Sequence, residues 1–141
     1  MNILFFLTPK SEVAYINKSD SVRQALEKME YHRYAAIPLI DEKGKYIGTV
    51  TEGDLLWFIK NRGDLTLHSV EDISIMDVKR KQDNEPVYAN SNMEDLYLKA
   101  QQQNFIPVID DNDTFIGIIT RKDIMTFMCK KVMPEVILAN A

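Results

Sequence analysis

The sequence contains a single cysteine, Cys129, in 141 residues. One thiol provides neither a disulfide framework nor a cysteine-rich zinc site, and it fits a reducing compartment, so we expect a cytoplasmic protein. The chain also lacks an apolar run of membrane-spanning length. The run from Ile3 to Leu7 has no basic residue before it and is stopped by Thr8 and Pro9, so we expect neither a signal peptide nor contact with a membrane.

An excess of basic charge is also missing, since the net charge is −4. Without a broad basic surface, nucleic acid is not an expected partner. His32 and His68 have no companion at metal-ligand spacing. We find no Walker-type phosphate loop, no nucleophile placed with a base and no carboxylate pair spaced for acid–base work. The expectation is therefore a protein that is not an enzyme and that has no metal and no cofactor.

The feature that is present is an internal repeat. One block occurs twice without a gap, and its corresponding residues are separated by a constant 69 positions. The pairs are Pro38 and Pro107, Gly48 and Gly117, Thr51 and Thr120, and Asp54 and Asp123. A fixed period of this kind indicates one supersecondary unit used twice.

The repeat extends upstream of this block. A strand is predicted from Val13 to Ile16, and a helix is predicted to begin at Ser21, with Gln24 completing a capping box. Asn92 takes the position of Ser21 in the second copy, 71 residues later. Each copy continues as a hairpin and a second helix, so each unit has the order strand, helix, strand, strand, helix. We predict an α/β (α+β) fold of two βαββα repeats, with residues 1–63 forming the first and 64–141 the second.

The hairpin turns and the second helices carry further signals. The left-handed position of the first turn is assigned to Gly44, and Asn or Asp takes it in the second turn, 111–113. The second helices begin at Thr51 and Thr120 and are apolar around most of their circumference. Such helices need covering on more than one side, which predicts a homodimer. The apolar residues are Leu55, Leu56, Trp57, Phe58 and Ile59 in the first, and Ile124, Met125, Phe127 and Met128 in the second.

The pairs Thr51/Asp54 and Thr120/Asp123 have two interpretations. Each is explained by simple N-capping of a helix, with the carboxylate favoured by the helix dipole. The alternative is a ligand cleft in which the helix N-terminus and the threonine bind phosphate while the aspartate accepts two ribose hydroxyls. A glycine three residues before each threonine would let a ligand approach the backbone, and we expect both carboxylates to point into open clefts.

These residues resemble tandem cystathionine β-synthase (CBS) domains, a pair often called a Bateman module, over roughly residues 13–128. The resemblance implies a pseudo-two-fold axis and two clefts that bind adenosine ligands. It implies ribose binding by Asp54 and Asp123 and phosphate binding near Thr51 and Thr120. The base pocket would comprise Tyr34, Ala36, Ile37, Pro38, Phe105, Ile106 and Pro107. The chain is also similar to small stand-alone bacterial CBS-pair proteins that bind cyclic di-AMP.

The two clefts are not chemically equal. Arg121 follows Thr120, whereas Glu52 follows Thr51. Because arginine forks onto phosphate and glutamate repels it, the Asp123 cleft is predicted to be the better site for a phosphorylated ligand. Arg33 is a further phosphate candidate.

The expected function is regulatory. The module would bind an adenine nucleotide such as AMP, ADP or ATP and favour one arrangement of its units. It would signal to an unidentified effector protein through the second helices or the tail Met133–Ala141. Two alternatives remain open: a cyclic di-AMP receptor of the same fold, and a dimeric interaction scaffold that binds no ligand.

Overall fold

The computed structural model describes residues 1–63 and 70–133. His68 and all of the predicted tail after Met133 lie outside the described residues. The helices are α1 (Val22–His32), α2 (Glu52–Arg62), α3 (Met93–Gln102) and α4 (Arg121–Val132). The strands are β1 (Thr8–Pro9), β2 (Ile16–Asn17), β3 (Ala36–Ile40), β4 (Tyr46–Thr51), β5 (Val87–Tyr88), β6 (Phe105–Ile109) and β7 (Phe115–Thr120).

The repeat in the sequence is a repeat in the structure. One sheet has the strand order β2-β3-β4, and the other has β1-β7-β6-β5. In each, a short strand pairs in parallel with the first hairpin strand, and the hairpin strands pair antiparallel. Pro38 lies opposite Thr49, and Pro107 lies opposite Ile118 at the same register. The predicted fold of two βαββα units is confirmed.

The predicted helix and turn signals are found at their positions. The Ser21 N–H donates to Gln24 Oε1 over 2.8 Å, and the Gln24 N–H donates to Ser21 Oγ over 3.1 Å. Asn92 caps α3 in the second copy. The left-handed turn residues are Gly44, with φ of 81°, and Asp113, with φ of 63°. Local side-chain chemistry therefore sets the same boundaries twice.

The predicted strand from Val13 to Ile16 is wrong in its extent. Only Ile16 and Asn17 form a ladder, because the pairing with β3 begins at Leu39 opposite Ile16. Val13 ends a short 3-10 turn, Lys10–Glu12, and its side chain is buried between the two sheets. Its apolar character reflects this burial and not strand pairing.

Each unit is packed against a segment that precedes the other unit, so the two segments are exchanged between the units. The 3-10 turn Ile3–Phe6 and strand β1 pack on the second unit, with the Ile3 side chain fully buried in its core. The corresponding 3-10 turn Ile75–Asp77, from the linker between the units, packs on the first unit through Ile75. The N-terminal segment, which was predicted to belong to the first unit, thus contacts the second.

A shared core joins the two sheets. Phe115 is buried against Tyr46 with the rings stacked at 6.4 Å, and the Phe115 N–H donates to Gly44 O of the other hairpin turn. The Tyr46 hydroxyl donates to the Asn84 carbonyl oxygen over 2.6 Å and lies 2.6 Å from Thr49 Oγ1. Burial raises the pKa of Tyr46 well above its ordinary value, because the phenolate would lose its hydration.

The outer faces of α2 and α4 are exposed. Leu56 keeps 58% of its surface accessible and Trp57 keeps 56%. Met125 and Met128 are exposed in the same way on α4. Large apolar side chains on two related helices leave an uncovered surface. Within residues 1–63 and 70–133, no helix has both the length and the apolar character needed to cross a membrane.

Candidate functional site

Asp54 caps its own helix. Its Oδ2 accepts the Thr51 N–H over 3.0 Å, and the Asp54 N–H donates to Thr51 Oγ1 over 3.1 Å. The second carboxylate oxygen, Oδ1, accepts the Lys81 N–H over 3.1 Å. The residue is only 7% exposed. The expectation that this carboxylate points freely into an open cleft is therefore wrong, because two backbone donors hold it.

A cleft of about 650 Å³ nevertheless lies beside Asp54. It is lined by Asp54, Trp57, Phe58, Asn61, Arg62, Asp77, Lys79 and Lys81. Lys79 and Lys81 were not predicted to line this cleft. The available signal was the basic run Lys79-Arg80-Lys81 itself.

Asp123 occupies the corresponding position in the second unit and is exposed. Its N–H donates to Thr120 Oγ1 over 3.1 Å, as in the first unit. Within the described residues its carboxylate accepts no hydrogen bond, so the helix start lacks the reciprocal half of the capping box. The carboxylate faces a cleft of about 350 Å³ between α4 and the N-terminal segment. The lining residues are Phe5, Phe6, Leu7, Thr8, Asp123, Thr126, Phe127 and Lys130.

The two aspartates differ in the donors that reach their carboxylates. In the first unit the linker supplies the Lys81 N–H, and the Thr51 N–H donates to the other carboxylate oxygen. In the second unit no described residue donates a hydrogen bond to the Asp123 carboxylate. Asp123 therefore keeps more acceptor capacity than Asp54.

Gly48 and Gly117 were predicted to let a ligand approach the backbone. In the structure, other parts of the same chain approach them instead. A Cβ on Gly117, where φ is +153°, would collide with the Thr8 carbonyl oxygen of β1. A Cβ on Gly48 would lie 2.5 Å from Asp83 Oδ1 of the linker. Close approach is thus required at both positions, and in both the approaching group belongs to one of the exchanged segments.

The phosphate candidates are dispersed. Arg121 Nε donates to the Ala100 carbonyl oxygen over 2.7 Å, at the end of α3. Arg33 ends α1 in a left-handed conformation and lines a groove between α1 and α2 together with Tyr34 and Glu52. The structure does not bring Arg33 to the Asp54 cleft.

The predicted base-pocket residues contribute mostly to the cores. Ile37 and Ile106 are fully buried in the first and second core, and Phe105 is buried between the sheets. Pro38 and Pro107 are buried beside them, while Tyr34 and Ala36 are half-buried. The roles assigned to the ribose, phosphate and base residues stay predictions.

Comparison with known proteins decides the family. The model of the CBS domain matches residues 6–61 and again residues 71–130. The chain belongs to the CBS-domain family. The two matches correspond to the two structural units, so the molecule is a tandem CBS pair, as the resemblance in the sequence implied.

In the curated relatives, the region that is similar to this chain is a small part of a longer protein. The CBS pair is 31% identical to an inosine-5'-monophosphate dehydrogenase of Methanocaldococcus jannaschii over 114 residues, which cover 81% of this chain and 21% of the relative. An L-aspartate semialdehyde sulfurtransferase of the same organism is 27% identical over 106 residues, covering 74% of this chain and 19% of the relative. The chain thus spans about a fifth of the length of these relatives.

Solved structures share the fold over most of the chain. CbpB in complex with c-di-AMP superposes with a TM-score of 0.82 at 24% identity, covering 96% of this chain and 89% of CbpB. CbpB from Streptococcus agalactiae has a TM-score of 0.77 at 25% identity, with coverages of 92% and 81%. CBSX2 in complex with AMP has a TM-score of 0.71 at 24% identity, with coverages of 92% and 96%.

Proposed function

We propose that this CBS pair is a regulatory, non-catalytic module that binds an adenine nucleotide of the AMP, ADP or ATP type, chiefly in the Asp123 cleft. The observation that carries the proposal is the Asp123 carboxylate, which is exposed in a cleft and accepts no hydrogen bond within the described residues. A carboxylate in this state accepts two ribose hydroxyls without losing an internal bond.

The other groups around Asp123 suit the remaining parts of a nucleotide. Thr8 and Lys130 supply a hydroxyl and an ammonium group for phosphate, and Phe5 and Phe127 supply apolar surface. Arg121 begins α4 but does not line this cleft, and its Nε donates to the Ala100 carbonyl oxygen. In this proposal the Asp54 cleft is the weaker nucleotide site, because its carboxylate is buried and each of its oxygens already accepts a backbone N–H.

The signal would pass through the exchanged N-terminal segment. A ligand between α4 and residues 5–8 contacts both the second unit and the chain that leads into the first. Such a ligand favours the arrangement in which both sets of contacts form, which is a population shift. We further propose a cytoplasmic homodimer that reports to a separate effector protein, with the exposed faces of α2 and α4 at the subunit interface. Sedimentation of a Leu56→Glu variant as a monomer beside a dimeric wild type would support this interface.

Two alternatives have specific support. Cyclic di-AMP is favoured by the c-di-AMP complex of CbpB, which has the same fold. A scaffold that binds no ligand is favoured by Asp54, whose internal capping is complete without one.

A thermal-shift panel of AMP, ADP, ATP and cyclic di-AMP tests the proposal. A ligand present at a hundred times its dissociation constant should stabilise the fold by about 2.7 kcal/mol. The effect of AMP, ADP or ATP should disappear in Asp123→Ala. A response to cyclic di-AMP alone would replace the proposed ligand, and no response to any of the four would favour the scaffold.

A further inference from the structure

The second helices of the two units begin with opposite charges. Glu52 is the first residue of α2, and Arg121 takes the same position in α4. Four exposed residues of α4 follow one another at spacings of four, three and four, which places them on one face of the helix. They are Arg121, Met125, Met128 and Val132. This α4 stripe is apolar along most of its length and positively charged where the helix begins.

A groove of about 700 Å³ between α1 and α2 of the first unit has the opposite charge. Its lining contains the carboxylates Glu27, Glu30 and Glu52 and the guanidinium of Arg33. Glu27 pairs with Arg23 over 3.2 Å. Within residues 1–63 and 70–133, neither Glu30 nor Glu52 forms an ion pair. The rest of the lining is apolar or aromatic: Leu26, Met29, Tyr34, Leu55, Leu56 and Ile59.

The corresponding helices of the second unit are joined by a hydrogen bond. Arg121 Nε donates to the Ala100 carbonyl oxygen over 2.7 Å, which connects the start of α4 to α3. The equivalent positions of the first unit are Glu52 and Met29, and both line the open groove. The first unit therefore presents an acidic groove, and the second presents the positively charged α4 stripe.

We propose that two copies of this chain form a two-fold dimer in which the α1–α2 groove of each copy receives the α4 stripe of the other. The inference rests on the proposed homodimer and specifies its arrangement, with each first unit facing a second unit. A two-fold axis forms this contact twice. The exposed side chains of Leu56 and Met125, which keep 58% and 54% of their surface accessible, are then covered by apolar partners.

The charges distinguish this arrangement from the pairing of like units. If first units paired with each other, Glu30 and Glu52 of both copies would lie at one interface. If second units paired with each other, Arg121 and Lys122 of both copies would do so, and both cations are exposed. Like charges that meet across an interface oppose association. Only the pairing of unlike units sets carboxylates against cations at both contacts.

Sedimentation equilibrium of two charge-reversed variants tests the arrangement, at about 50 mM salt, where screening of exposed charges is weak. In the proposed dimer, Glu30→Lys/Glu52→Lys opposes two positive surfaces, and Arg121→Glu/Lys122→Glu opposes two negative ones. Each variant alone should dimerise at least about tenfold more weakly than the wild type, because the repulsion occurs at both contacts. An equimolar mixture should form a heterodimer with the wild-type dissociation constant, since every reversed surface then meets an opposite charge.

The matched control is Glu12→Lys/Glu42→Lys, which makes the same change of charge at exposed positions outside the groove and should dimerise like the wild type. In a dimer of like units, each reversed variant would oppose like charges as the wild type does, and it would dimerise equally well. That result, a mixture that stays dissociated, or equal weakening in the control would overturn the arrangement alone. A monomeric wild type would overturn the proposed homodimer as well.

Discussion

The two clefts start from the same residues and differ in the segment that faces them. In both, a threonine hydroxyl accepts the N–H of the aspartate three residues later. In the first cleft the linker adds the Lys81 N–H, and the aspartate is buried and satisfied. In the second, the Asp123 carboxylate lines a cleft beside the N-terminal segment and accepts no hydrogen bond from the described residues. The same Thr-x-x-Asp pattern thus carries a hydrogen-bonded carboxylate in one unit and, in the other, a carboxylate that accepts no hydrogen bond from the described residues.

The facing segments also attach to their sheets by different means. β1 pairs through its backbone with β7. The linker is held against β4 by a side chain, since the Thr49 N–H donates to Asp83 Oδ1 over 2.9 Å. A new Cβ that meets the backbone of a paired strand forces the two strands apart. A new Cβ that meets a side chain can be accommodated when that side chain rotates away. The two units should therefore respond differently to the same substitution.

The largest effect is expected from Gly117→Ala. The new Cβ would collide with the Thr8 carbonyl oxygen at a backbone φ of +153°, so β1 must separate from β7. We expect a loss of about 3 kcal/mol in the free energy of unfolding, measured with urea. Gly48→Ala, whose Cβ meets the Asp83 and Arg80 side chains, should lose about 1 kcal/mol. Equal losses would show that the two segments are held alike.

A smaller effect is expected from replacing the aspartates. Asp54→Ala removes a capping acceptor and leaves the Lys81 N–H without its partner, so it should lower the free energy of unfolding by about 2 kcal/mol. Asp123→Ala removes an exposed carboxylate and should change it by less than about 0.5 kcal/mol. Chemical denaturation of the ligand-free variants measures both. A larger loss for Asp123→Ala would reverse the assignment of structural and open aspartate.

An effect smaller than that of Asp54→Ala is expected at Tyr46, whose counterpart in the second unit is Phe115. Tyr46→Phe should lose about 1 kcal/mol, because Asn84 O and Thr49 Oγ1 lose a hydrogen-bond partner. The folded-state pKa of Tyr46 is raised above its ordinary value of 10.0. Its contribution is therefore complete below that pH and is lost as the pH rises further. Stability curves should converge for wild type and variant at alkaline pH, and parallel curves would contradict this.

Sequence patterns correctly predicted the features that depend on interactions between residues close together in the chain. The capping box of Ser21 and Gln24 and the turn at Gly44 act within a few residues, and both were found where the sequence placed them. The state of Asp54 was not predictable in this way, because its second donor, Lys81, is 27 residues away. The packing of the N-terminal segment on the second unit depends on tertiary contacts, which the periodicity of the sequence does not predict.

Nucleotide titration of two single variants tests the central claim most directly. Asp54→Asn preserves the shape of the cap, and Asp123→Ala removes the open carboxylate. Calorimetry with AMP should show loss of most affinity, by about tenfold or more, in Asp123→Ala and near wild-type affinity in Asp54→Asn. If AMP affinity were intact in Asp123→Ala and lost in Asp54→Asn, the open cleft would not be the binding cleft.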